Sequence, residues 1–258
     1  MENRMESQSE VNASFKLLII ASIVTVVLWF IPLAEVITYP FRIFGTFIHE
    51  TGHALASLAT FGGVNRFEIN WNGSGLTESS GWGFFISSAG YLSTTIYGAA
   101  LLLLLRRQRN ARAVAVGTGI LLLAITLLFG SNLLAWLAGL LFGAGCIWMG
   151  IKGKPKLVHF FMSFLAVQTM LNAFYDLYTL TYLSTFAPGH PTDAGNMARI
   201  TGIPATFWAV TWSLISFAIL AATLVVYYRS LKQRAALALQ PAPTLIDDHS
   251  HFALDREV

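Results

Sequence analysis

The sequence predicts an all-α membrane protein: a multi-pass helical bundle of about six to seven transmembrane helices with a small membrane-associated β-hairpin. Three observations predict it. Of the 258 residues, 55% are apolar and only 11% charged, where a typical globular chain carries roughly 25% charged residues. Mean hydropathy is +0.62, and apolar runs of spanning length recur along the chain. Between two of them lies a glycine- and asparagine-rich stretch with strand-like alternation. Cys146 is the one cysteine, which excludes an intramolecular disulfide and any cysteine-based zinc cluster. The formal charge of +3 comes from short basic clusters between apolar runs, a topology signal rather than a nucleic-acid-binding surface. The expected partner is the lipid bilayer, with no nucleic acid.

Residues 1–14 form a polar N-terminal segment, 15–230 an integral membrane domain and 231–258 a flexible C-terminal tail. A crossing requires about 20 mostly apolar residues. Runs near that length are 15–37, 40–61, 83–105, 113–130, 133–151, 157–183 and 204–228. The first is longer than the apolar core of a secretory signal and lacks a small-x-small cleavage site, so it reads as an anchor. The third, fourth, fifth and seventh contain no Asp, Glu, Lys, Arg or His and read as plain bundle helices. In 62–82, Phe67, Ile69 and Trp71 alternate with Glu68 and Asn70 before Asn72-Gly73-Ser74-Gly75, the pattern of a strand, a glycine turn and a returning strand. Residues 184–203, holding Pro188, His190, Pro191 and Asp193, read as a polar loop. Basic clusters follow the third run (Arg106, Arg107, Arg109, Arg112), the fifth (Lys152, Lys154, Lys156) and the seventh (Arg229, Lys232, Arg234). All three are expected on the cytoplasmic side, with a pair of crossings between successive clusters. Counting back puts the N-terminus outside.

The chemistry is concentrated in the second run, where His49-Glu50-Thr51-Gly52-His53 interrupts an otherwise apolar segment. On a helix, His49 and His53 lie on one face, so both imidazoles reach one metal while Glu50 stands beside it. An ionisable group deep in a bilayer costs about 2.5 to 3.5 kcal/mol on insertion scales and is functional by default. A bound Zn²⁺ offsets that cost and leaves Glu50 beside a water that it can deprotonate. Catalytic zinc takes three protein ligands, so a third must come from elsewhere. The sixth run places Asn172 and Asp176 on one helical face, and Asp176 is the first choice of ligand. Asn172 is a candidate contact to substrate or to a developing oxyanion, or else interhelical glue. Asp193 is the alternative third ligand or part of a lid. His159 reads as interfacial, His190 as a loop residue, and Asp247, Asp248, His249 and His251 as tail residues that pick up metal adventitiously.

Residues 49–55, followed by Gly62-Gly63-Val64, Gly73-Ser74-Gly75-Leu76-Thr77, Ser87-Ser88-Ala89-Gly90-Tyr91 and 172–177, resemble the site-2-protease family of intramembrane zinc metallopeptidases. The closest likeness is to its short prokaryotic branch without a PDZ domain. The resemblance runs from about Phe44 to Trp212 and implies zinc held by His49, His53 and a distant aspartate, with Glu50 as catalytic base. It also implies that the 62–82 hairpin presents the substrate and that the chain sits in a prokaryotic cell membrane. Better-known members carry the ligand aspartate in a Leu-Asp-Gly turn, whereas Asp176 lies in Tyr175-Asp176-Leu177.

The function expected is therefore Glu-assisted, zinc-activated hydrolysis of peptide bonds in membrane-protein or peptide substrates. The alternative is a non-catalytic metal-binding membrane scaffold or transporter subunit. Glu50 favours the enzyme, because metal binding alone gives no reason to keep a general base beside the ligands.

Overall fold

The computed structural model describes residues 34–187 and 189–239, together with 20, 23 and 27. The segment 1–14, most of the first run and the tail from 240 onward lie outside the described residues.

Helix α1, Ala34–Ala59, contains Pro40 near its start. It buries Phe44, Phe47 and Ile48, the three-and-four spacing of one helical face. Phe44 meets Phe142 edge-on at 5.5 Å and Phe47 meets Phe67 of the hairpin at 4.9 Å. Arg42, His49, Glu50 and His53 lower its hydropathy. Among the described residues, five stretches are long and apolar enough to cross a membrane, α1 not among them: Gly83–Leu104, Gln108–Phe129, Leu133–Lys152, Pro155–Phe186 and Ala205–Ser230. These correspond to the third to seventh runs.

Strands β1, Val64–Ile69, and β2, Gly75–Ser79, pair antiparallel with Glu68 opposite Leu76 and Phe67 opposite Thr77. The turn between them closes through Asn70 N–H to Ser74 O at 2.8 Å, with Gly73 at φ 82°. Phe67 and Ile69 are fully buried, as the alternation predicts. Trp71, past the strand end, is exposed.

Helix α2, Gly83–Leu104, follows the hairpin. A 3-10 turn, Gln108–Asn110, leads to α3, Ala111–Phe129, and α4, Leu133–Lys152. The α3–α4 connection holds the hairpin. Asn132 caps α4 by accepting from Ala135 N–H, accepts at 3.3 Å from Ile69 N–H and donates at 2.8 Å to Ile69 O. Ser131 N–H donates to Phe67 O at 3.0 Å while its hydroxyl accepts from Phe67 N–H at 3.0 Å.

Helix α5, Pro155–Phe186, has 32 residues, about 48 Å of helix and more than the roughly 30 Å hydrocarbon core. Helix α6, Asp193–Thr201, is short, and α7, Ala205–Leu239, closes the described chain. Two expectations change here. The polar loop 184–203 is partly helical, because Thr192 Oγ1 accepts from Gly195 N–H to start α6 and Gly202 at φ 73° ends it. The tail begins later than 231, since α7 continues to Leu239. His159, near the start of α5, is 1% exposed, and its Nε2 lies 2.8 Å from Leu105 O.

Candidate metal centre

Three ligand atoms converge where α1, α2 and α6 meet. His49 Nε2 and His53 Nε2 are 3.0 Å apart, and Asp193 Oδ2 lies 3.2 Å from the first and 3.3 Å from the second. His49 and His53 stand one helical turn apart on α1, and Asp193 is the first residue of α6. The tautomer of His53 follows from its second nitrogen. Nδ1 donates to Ile86 O at 2.7 Å, leaving the Nε2 lone pair to face His49 and Asp193. Two imidazole lone pairs and a carboxylate oxygen this close repel one another unless a cation or proton lies among them. Four-coordinate zinc with ligands at about 2.0 to 2.1 Å separates them by about 3.3 Å, so the donor set fits that ion in type and spacing.

The backbone makes room for the cluster at Gly90. A Cβ there would lie 2.3 Å from His49 Nε2 and 2.5 Å from His53 Nε2, so α2 passes the imidazoles only with glycine at that position. The next residue, Tyr91, turns its ring edge-on to His49 at 4.5 Å and stacks on Trp212 at 5.9 Å.

Glu50 is 5% exposed and accepts a 2.6 Å hydrogen bond from Thr77 Oγ1 on β2. Both residues line a cavity of about 380 Å³ that also reaches His49, His53, Asp176 and Asp193. Asp193 makes contact with both histidines, whereas Asp176 shares the cavity without joining the three-atom group. Among the described residues the geometry therefore favours the alternative ligand, Asp193, over Asp176. Depth along the helices favoured Asp176, but α6 folds back over the bundle with Ala194 and Met197 fully buried, carrying its first residue down to the imidazoles. Chain outside a spanning helix is tolerated at such depth where protein surrounds it.

Asn172 lies at the interface of α5 and α1. Its Nδ2 donates to Phe41 O at 3.0 Å, tying α5 to α1, and it is not among the cavity-lining residues. That bond is of the kind expected of an interhelical contact. His190 is exposed. Thr77 and Tyr91 were not singled out for a role, although both lie in the segments that carry the resemblance.

The family described as Peptidase M50B-like matches residues 19–223. The chain belongs to that family. Neither a curated protein nor a solved structure gives a significant match. The M50B-like stretch spans α1 to most of α7 and so includes every residue of the metal group. A peptidase family, five membrane-compatible helices and a His-His-Asp group able to hold a metal coincide in one chain.

Proposed function

We propose that the chain is an intramembrane zinc metallopeptidase that hydrolyses peptide bonds of membrane-associated substrates. The observation that carries this reading is the pairing of a three-ligand group with a separate buried carboxylate, Glu50, in one cavity. His49, His53 and Asp193 would hold the metal. Zinc in such a site supplies Lewis acidity toward a water and a scissile carbonyl. Glu50 takes the proton of the attacking water and returns it to the departing amine.

Substrate presentation follows from the sheet. The outer side of β1 is occupied by Ser131 and Asn132, which bond the N–H and C=O groups of Phe67 and Ile69. Residues alternate in the direction of their backbone groups, so Glu68 bonds toward Leu76, and Gly75 and Thr77 direct theirs to the other edge of β2. That edge borders the cavity through Gly75, Leu76 and Thr77. An extended peptide laid along it would be bound by strand addition beside Glu50.

The test is metal analysis together with cleavage of a membrane-embedded peptide in lipid vesicles. Wild type is expected to bind about one zinc per chain and cleave. Glu50→Gln should keep the zinc and lose cleavage by about 100-fold or more. Undiminished cleavage by Glu50→Gln would remove the base from the mechanism.

A further inference from the structure

Glu50 is bonded from the hairpin at one oxygen and packed closely against it at the other. Thr77 Oγ1 donates to Oε2 at 2.6 Å and lies 3.3 Å from the Glu50 backbone oxygen. On the other side, a Cβ at Gly75 would lie 2.4 Å from Oε1, so the carboxylate rests on the bare backbone of β2. A glutamate side chain has three rotatable bonds, and a carboxylate free to swing spends little time aimed at one water. The same residue, Thr77, directs its backbone N–H and C=O to the strand edge described above.

We infer that Thr77 is a positioning residue for Glu50, and that one residue of β2 aims the base with its hydroxyl while offering its backbone to the substrate. The inference rests on the peptidase reading. It makes the hairpin part of the catalytic geometry rather than a passive platform, because a shift of β2 moves substrate and base together. Gly75 is the companion requirement, since any side chain there displaces the carboxylate that Thr77 holds.

The experiment uses the full chain in lipid vesicles with a membrane-embedded peptide, reading zinc content, kcat and KM for wild type, Thr77→Val, Thr77→Ser and Glu50→Gln. Thr77→Val keeps the branched shape and the backbone but loses the donor. It should lower kcat about 10- to 100-fold, the scale of a misplaced catalytic group, with KM and zinc content within about twofold of wild type. Thr77→Ser restores the donor and should recover most of kcat. The inference is overturned if Thr77→Val turns over like wild type while Glu50→Gln is inactive. It is equally overturned if Thr77→Ser is as impaired as Thr77→Val, or if the loss appears in KM or zinc content rather than kcat. A wild type that does not cleave, or a Glu50→Gln that cleaves undiminished, overturns the peptidase reading itself and this inference with it.

Discussion

With no side chain at position 90, α2 passes both imidazoles at contact distance. Gly90→Ala should therefore push His49 and His53 apart and abolish zinc binding while the helix itself forms normally, which metal analysis and circular dichroism together decide. Asp193→Ala is expected to lose the zinc and Asp176→Ala to retain it. Retention by Asp193→Ala would return the third ligand to α5. His49, Glu50 and His53 were legible as a unit because four-residue spacing on a helix is local geometry. The choice of aspartate was not, because it depends on a chain reversal after α5 that no periodicity encodes. Its local signal was nonetheless present: Thr192 and Gly202 are a start and a stop for a helix whose first residue is Asp193.

At the scale of elements, the outer edge of β1 is fixed by the α3–α4 connection. Asn132 joins the first turn of α4 to the end of β1, so Asn132→Ala removes a cap worth about 1 kcal/mol and frees β1 at once. Cleavage should fall while zinc content stays at the wild-type level, and a matched loss of zinc would show that the hairpin supports the metal group as well. Strand addition predicts a second pattern. Peptides N-methylated at successive positions should alternate between cleaved and uncleaved with a period of two, because only every other amide faces β2. A uniform effect would argue against pairing. The hairpin and the five apolar helices were readable from alternation and run length, which are properties of neighbouring residues. The clamp at Asn132 was not, since it joins positions 63 residues apart.

Across the whole molecule, Arg112 Nη2 donates to Gly153 O at 2.9 Å, bringing the first two basic clusters to one end of the bundle. The metal group lies toward the opposite end. Gly90 is in the second turn of α2, about 10 Å from the Gly83 terminus, and Asp193 belongs to the segment that follows the far end of α5. If basic residues mark the cytoplasmic face, the cavity opens toward the other one. Cysteine placed at exposed Ser80 should then react with an impermeant reagent added to intact cells, and cysteine at Lys154 only after the membrane is opened. The reverse labelling would invert the protein.

The contact between His49 and Asp193 spans 144 residues of sequence, more than two thirds of the described stretch from 34 to 239. A metal ion shared by these residues would act as a cross-link between α1 and α6. Closing a loop of that length in a freely moving chain is worth about 5 kcal/mol, and less where the bilayer already confines the helices. The ion would thus fasten α6 to α1, and chelation should lower the melting temperature and open the chain to protease attack between α5 and α7 before any other segment loosens.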